Sequence, residues 1–150
     1  MTTTSSPEPE SVLYGGTSTA RVRIHHLQAA KAAGEKWAML TAYDTYAARV
    51  FEEAGIPVLL VGDSAGNVVL GHSSTVPVTV DDLLLFTKAV TRSTSRALIV
   101  ADLPFGSYQQ SPEQALRSAS RLMAAGANMV KLDLRQICAP IPFDPVLVQA

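Results

Sequence analysis

The sequence has little cysteine, little net charge and no long apolar run, and each shortage excludes a class of protein. One cysteine, Cys138, occurs in 150 residues, which excludes an internal disulfide and fits the reducing cytoplasm; we interpret it as an incidental or buried thiol. The formal net charge of −1 gives no electrostatic footprint for nucleic acid or an anionic membrane. No apolar run approaches the roughly 18 residues of a membrane span. The N-terminus lacks the basic start and apolar segment of a secretory signal.

Four short apolar runs, in contrast, each end in an aspartate. The runs cover residues 38–44, 58–63, 97–102 and 129–133, and their last residues are Asp44, Asp63, Asp102 and Asp133. Runs this short and this rich in valine, leucine and isoleucine are typical of strands buried on both faces of a parallel sheet. Their carboxyl ends share one rim, where α/β proteins bind ligands. Carboxylates gathered there indicate a hard metal ion such as Mg²⁺.

Helical patterns separate these runs and define the fold class. Helices are predicted at 23–33 and 45–54, from the N-cap Thr79 to about residue 94, and from the N-cap Ser111 to 125, where Gln114 completes a capping box. Right-handed βαβ crossovers then make all four strands parallel, in the order 1-2-3-4. An open doubly wound sheet or part of a (β/α)8 barrel satisfies this α/β pattern. A complete barrel needs about 250 residues.

Composition divides the chain into three segments. Residues 1–21 are polar and without periodicity, and are predicted to form a disordered arm. Residues 22–133 form the partial barrel domain. Residues 134–150 are a divergent, proline-rich tail, in which three prolines within six positions exclude a regular helix. Within the domain, residues 64–77 are too long for an ordinary βα loop and are more typical of a functional one.

Five motifs in order carry a family resemblance. They are Leu-Thr-Ala-Tyr-Asp ending at residue 44, Val-Gly-Asp-Ser ending at 64, Gly-His-Ser-Ser-Thr-Val-Pro-Val-Thr at 71–79, Ala-Asp-Leu-Pro-Phe at 101–105 and Ala-Gly-Ala-Asn-Met-Val-Lys ending at 131. Over residues 22–133 the chain resembles the N-terminal half of ketopantoate hydroxymethyltransferase. The resemblance implies a (β/α)8 barrel, usually a decamer, that binds Mg²⁺. It also implies transfer of a one-carbon unit from 5,10-methylenetetrahydrofolate to 3-methyl-2-oxobutanoate.

The resemblance assigns roles to individual residues. Asp63 and Asp102 correspond to the metal-binding aspartates, and Asp133 stands where the family has a glutamate near the metal. Ser64 and Lys131 correspond to contacts with the keto acid, in addition to Asp63 and Asp102. The family's general base lies in the second half of the barrel and has no counterpart here, so this chain is expected to contain no catalytic base.

Several alternatives stay open at this point. Asp44 is interpreted mainly as a helix cap or an indirect support of the site, and Lys131 could instead form a structural ion pair. His25 and His26 are expected to be solvated, whereas His72 could line a substrate pocket. The chain itself could be a truncated or frame-shifted product without catalysis. It could also belong to another Mg²⁺-dependent α-keto acid barrel enzyme, such as a carbon–carbon lyase.

Overall fold

A computed structural model describes residues 20–133, in which strands and helices alternate around one sheet. Helices α1 to α5 span Ile24–Ala32, Thr45–Glu53, Ala65–Val68, Val80–Arg92 and Pro112–Ala124, and strands β1 to β4 span Met39–Thr41, Val58–Val61, Leu98–Asp102 and Met129–Lys131. The sheet order is β1-β2-β3-β4 and every pair is parallel, as predicted. The proline-rich tail and nearly all of the predicted arm lie outside the described residues, so both stay predictions.

Side-chain caps fix where the long helices begin. Asp44 caps α2, because its Oδ1 accepts hydrogen bonds from the backbone N–H groups of Tyr46 and Ala47 at 2.8 and 2.9 Å. Thr79 and Asp82 form a reciprocal capping box at the start of α4. The predicted starts of both helices are therefore correct. No helix within residues 20–133 combines the length and the apolar character needed to cross a bilayer.

The start of α5 was predicted only in part. Ser111 is the N-cap and its hydroxyl accepts from the Gln114 N–H at 3.2 Å, as expected. The Gln114 side chain does not return to Ser111, however, and the capping-box prediction is wrong there. Its Oε1 accepts from the Gln110 N–H at 3.0 Å and its Nε2 donates to the Gly106 carbonyl at 2.8 Å. Gln114 thus ties the loop after β3 to the first turn of α5.

The strands differ in burial more than their sequences indicate. β3 is buried throughout and β2 nearly so, whereas all three residues of β1 are exposed and those of β4 are half-buried. Met39 and Leu40 retain 42% and 37% of their accessible surface. The expectation that all four strands are buried on both faces is therefore wrong for β1 and β4. These two strands form the edges of the described sheet and have a neighbour on one side only.

Side chains on the two faces of the sheet enter two separate clusters. Alternate residues such as Leu59, Ile99 and Val130 pack toward α2, α4 and α5. The intervening residues, including Val58 and Val100, pack with Leu27 of α1. We call this second side the inner face. Because side chains alternate, the next inner-face positions beyond Leu60 and Val100 are 62 and 102, at the carboxyl ends of the strands.

Candidate active site at the carboxyl ends of the strands

Asp102 and Lys131 are brought together by the strand register. The two residues are directly paired across β3 and β4, and both lie on the inner face. Lys131 Nζ lies 2.7 Å from Asp102 Oδ1. Since adjacent parallel strands run about 4.8 Å apart, paired side chains on one face are forced into contact. The register thus converts two residues 29 positions apart in the sequence (131 minus 102) into an ion pair at the functional rim.

The Asp102 carboxylate is buried and its contacts are few. Its side chain retains 8% of its accessible surface, against 40% for Lys131. Oδ2 accepts a hydrogen bond from the Asp63 N–H at 3.2 Å. Oδ1 is shielded from solvent and, within residues 20–133, has no hydrogen-bond partner besides the nearby ammonium. Burial raises the pKa of this carboxyl, and the negative charge of Asp63 adds to the effect, while Lys131 and the Asp63 N–H oppose it.

The turn after β2 supplies the second part of the site. Asp63 and Ser64 follow the last residue of β2, Val61, after Gly62, and both are half-buried. The Ser64 hydroxyl lies 2.6 Å from the phenol oxygen of Tyr43, which comes from the end of β1. The segments that follow β1 and β2 and the end of β3 therefore contribute polar groups to the same rim, and β4 adds Lys131. The predicted residues Asp63, Ser64, Asp102 and Lys131 all lie at this rim.

Gly62 lies close to both of these groups. A Cβ atom at position 62 would lie 3.0 Å from the Ser64 hydroxyl oxygen and 3.4 Å from Asp102 Oδ2. Any side chain at this position would therefore press on the serine and the aspartate. The absence of a side chain at Gly62 lets both polar groups keep their positions.

Asp133 lies just beyond β4 and is held through its backbone. Its carbonyl accepts a hydrogen bond from the phenol of Tyr108 at 2.9 Å. Tyr108 belongs to the loop after β3 and is buried. Burial raises the pKa of its phenol, and the charges of Asp133, Asp63 and Asp102 act in the same direction. The loop after β3 therefore positions the end of β4.

A divalent ion fits the donor atoms, although no complete ligand set stands ready. Within residues 20–133, no group of three or more histidine, cysteine, aspartate or glutamate side chains has an arrangement that could hold a metal ion, so Asp63, Asp102 and Asp133 do not form such a group. Mg²⁺ commonly takes only one or two carboxylates and completes its shell with water and substrate oxygens. The buried Oδ1 of Asp102 already has a cation beside it, which shows that this position accommodates positive charge.

The remaining predicted residues lie elsewhere. Asp44 is exposed and serves as the α2 cap, in agreement with its structural interpretation. His26 accepts from the Arg23 N–H at 3.1 Å at the start of α1, and His25 is exposed beside it. His72 is exposed, and its carbonyl accepts from the Asn67 side chain. Residues 65–68 of the predicted loop form the short helix α3. Cys138 lies outside the described residues.

Three residues of the site were not identified from the sequence. Tyr43 contributes a phenol, Gly62 contributes a position at which a side chain would crowd Ser64 and Asp102, and Tyr108 anchors the Asp133 backbone. Tyr43 and Gly62 each stand immediately before one of the strand-end aspartates, and this position was the available signal. The role of Tyr108 depends on a loop conformation for which the sequence has no comparable marker.

Comparison with known proteins identifies the family. The ketopantoate hydroxymethyltransferase family matches residues 21–142. A 3-methyl-2-oxobutanoate hydroxymethyltransferase from Thermobifida fusca is 62% identical over 130 residues, which cover 86% of this chain and 46% of that protein. The enzyme of the same name from Rhodococcus jostii is 58% identical over 142 residues, covering 91% and 49%. The chain thus spans about half the length of these relatives, and the match extends nine residues beyond residue 133 (142 minus 133).

Solved structures with a similar fold are more distant in sequence. A phosphoenolpyruvate phosphomutase from Streptomyces platensis subsp. rosaceus superposes with a TM-score of 0.61 at 20% identity, covering 79% of this chain and 40% of that one. A 2,3-dimethylmalate lyase of the PEP mutase/isocitrate lyase superfamily gives 0.56 at 19% identity, covering 75% and 40%. Identities this low establish the fold alone. They agree with the predicted N-terminal half of a (β/α)8 barrel.

Proposed function

Because the chain belongs to the ketopantoate hydroxymethyltransferase family, we propose that it carries the metal-binding and keto-acid-binding half of a one-carbon transferase. The reaction joins the one-carbon unit of 5,10-methylenetetrahydrofolate to 3-methyl-2-oxobutanoate and gives 2-dehydropantoate. The observation that supports this most strongly is the buried Asp102 carboxylate with the Lys131 ammonium at 2.7 Å and the Asp63 N–H at 3.2 Å. A small anionic substrate and a divalent cation both find complementary groups there.

Asp63 and Asp102 would hold Mg²⁺, with Asp133 as a further candidate ligand just beyond β4. When bound, Mg²⁺ stabilises the negative charge that develops on the ketone oxygen as C3 of the keto acid loses a proton. The absence of a side chain at Gly62 lets Ser64 and Asp102 keep their positions beside the keto acid. These residues would therefore bind and orient the keto acid, and they would keep its reacting carbon at the rim where the folate can approach.

Ser64 and Lys131 would contact the substrate carboxylate. The Tyr43 phenol and the Ser64 hydroxyl form one hydrogen bond with each other, in which either group can be the donor. If Tyr43 donates, the Ser64 proton is directed away from the phenol and toward the ligand. The Lys131 ammonium is two-fifths exposed, so its flexible side chain can reach a carboxylate in the same space. Tyr43 thus orients Ser64, while Lys131 supplies charge.

We assign no general base among the described residues 20–133, and we expect residues 1–150 by themselves to bind the keto acid without efficient turnover. General-base assistance typically contributes 10²–10⁴ to a rate. The purified chain should form 2-dehydropantoate at a rate at least about a hundredfold below that of a full-length relative. Robust product formation by the chain alone would show that its own residues supply the base.

Calorimetric titration with 3-methyl-2-oxobutanoate in the presence of Mg²⁺ tests the binding function. Asp102→Asn should weaken Mg²⁺-dependent keto acid binding at least tenfold, because the neutral amide is a much poorer ligand for Mg²⁺ than the carboxylate. Asp44→Asn is the matched control: it removes the same charge at the same rim, and asparagine remains a good helix cap. Equal losses in the two variants, or no Mg²⁺-dependent binding by the unchanged chain, would contradict the proposal.

A further inference from the structure

Both oxygens of the Asp102 carboxylate are already engaged. Oδ2 accepts from the Asp63 N–H, and Oδ1 lies 2.7 Å from Lys131 Nζ. A divalent ion that binds Asp102 must therefore displace one of these partners or share an oxygen with it. Two positive charges on one sheltered oxygen repel each other strongly, because the surroundings screen them poorly. Sharing Oδ1 is thus the less favourable arrangement.

The two partners of Asp102 differ in their freedom to move. The Asp63 N–H belongs to a turn that is fixed by backbone hydrogen bonds from Ala65 N–H to the Gly62 carbonyl and from Gly66 N–H to the Asp63 carbonyl, at 3.1 and 2.9 Å. The Lys131 ammonium ends a flexible four-carbon side chain that retains 40% of its accessible surface. The ammonium can therefore leave Oδ1 without disturbing the sheet, whereas the N–H cannot.

We propose that Lys131 is a tethered counter-ion that occupies Asp102 Oδ1 until a divalent cation arrives, and then turns to the carboxylate of the keto acid. This inference rests on the proposed function and adds a sequence of events to it. The buried carboxylate has a cation beside it at every stage. Since the metal frees the ammonium that the keto acid requires, the two ligands bind with positive coupling, and each raises the affinity for the other by the same factor.

Chemical labelling of the lysines tests the displacement directly. The sequence contains four lysines, so Lys31, Lys36 and Lys88 serve as internal references for Lys131. Brief acetylation followed by mass spectrometry should show Lys131 reacting about fivefold faster with saturating Mg²⁺, because the ammonium leaves the ion pair. Addition of 3-methyl-2-oxobutanoate should lower the rate again. The three reference lysines should not change.

Metal affinity supplies a second, independent readout. Mn²⁺ binding, followed by electron paramagnetic resonance, should become about tenfold tighter in Lys131→Met, because no ammonium has to be displaced. Lys131→Arg keeps the cation and should not show this gain. In the unchanged chain the keto acid should tighten Mn²⁺ binding, and this coupling should be reduced in Lys131→Met to the part that comes from direct contact between the keto acid and the metal. Circular dichroism establishes that each variant is folded.

The possible outcomes separate this inference from the function on which it rests. Absence of Mn²⁺ binding in the unchanged chain would overturn both. Mn²⁺ binding that leaves the acetylation rate of Lys131 unchanged would overturn the displacement alone, since the metal site would stand. Tighter binding by Lys131→Met together with that unchanged rate would indicate repulsion from a stationary ammonium, and would likewise overturn the displacement.

Discussion

The two rims of the sheet use buried or half-buried carboxylates in opposite ways. At the amino ends of the strands, Glu52 Oε1 accepts three hydrogen bonds, from the Ser95 N–H, the Ser95 hydroxyl and the Arg96 N–H, at 2.7, 2.8 and 2.6 Å. At the carboxyl ends, Asp102 has one N–H donor and one flexible ammonium. The first carboxylate joins the end of α2 to the segment before β3. The second has one fixed donor and one partner that can move away.

The same contrast holds for the other polar groups of the two rims. Around the amino ends, Arg21 donates to the Thr94 carbonyl and Asn128 Oδ1 accepts from the Ile99 N–H, both at 2.9 Å. These side chains satisfy backbone groups and so stabilise the fold. Around the carboxyl ends, Tyr43 and Ser64 bond to each other and leave hydrogen-bonding capacity for a ligand. The amino-end rim thus carries groups that stabilise the fold, and the proposed ligand contacts lie at the carboxyl-end rim, where (β/α)8 barrels usually place their active sites.

The largest expected effect on stability comes from the amino-end rim. Glu52→Ala should lower the free energy of unfolding by about 2–3 kcal/mol, because three donors lose a charged acceptor. Urea denaturation followed by circular dichroism measures this loss. Glu53→Ala is the control, since the neighbouring glutamate on the same helix is exposed. Similar losses in both variants would remove the distinction between the rims.

A smaller effect, of opposite sign, is expected for Asp102→Asn. At pH 7 this variant should match or exceed the stability of the unchanged chain by up to about 1 kcal/mol, because a buried charge is removed and Lys131 can be solvated. Burial raises the pKa of Asp102, so the folded chain keeps this proton to higher pH than the unfolded chain does.

This difference in proton binding fixes the pH dependence. The Asp102 contribution to the free energy of unfolding should fall as the pH rises from below about 4, the ordinary aspartate value, toward neutrality. Asp102→Asn has no titrating group at this position and lacks this pH dependence. The difference in free energy of unfolding between the variant and the unchanged chain should therefore be smallest in acid and largest at pH 7. Urea denaturation at several pH values measures this difference. A variant that is clearly less stable at pH 7 would mean that Asp102 serves the fold, as Glu52 does.

The smallest effect on stability is expected for Tyr43→Phe. The ring stays in edge contact with Phe86, at a centroid distance of 6.0 Å, so the free energy of unfolding should change by less than about 1 kcal/mol. Keto acid binding should weaken several-fold as Ser64 loses its orienting partner, while Mn²⁺ affinity stays constant. Tyr46→Phe is the control, because Tyr46 is 80% exposed. A large stability loss without an effect on binding would make Tyr43 a structural residue.

Local patterns predicted much of the fold and part of the candidate site. The structure contains the predicted strands that end near aspartates, the caps Thr79 and Ser111, and the predicted strand order. Each of these was predicted from residues close together in the sequence. The family motifs alone indicate Asp63 and Asp102 as site residues. Such features are encoded within a few positions of the chain, so a single sequence suffices to find them.

The missed features depend on register and on partners distant in sequence. An ion pair of Lys131 was one of the predicted alternatives, but its partner Asp102 was not identified, because that pairing follows from the alignment of β3 against β4. The exposure of Met39 and Leu40 depends on a position at the sheet edge, although their apolar character is that of a central strand. Gln114 similarly bonds to Gly106 and Gln110, outside its predicted capping box.

After β1, each strand of the described sheet pairs with the strand that precedes it in the chain. Ribosomal synthesis therefore delivers every new strand next to one that has already emerged, and no strand has to wait for a distant partner. Asp102 emerges before its counter-ion, however, because Lys131 follows only after the whole of α5. The order of synthesis thus lets the scaffold form early, and the charge-balanced rim is completed only when the last described strand docks.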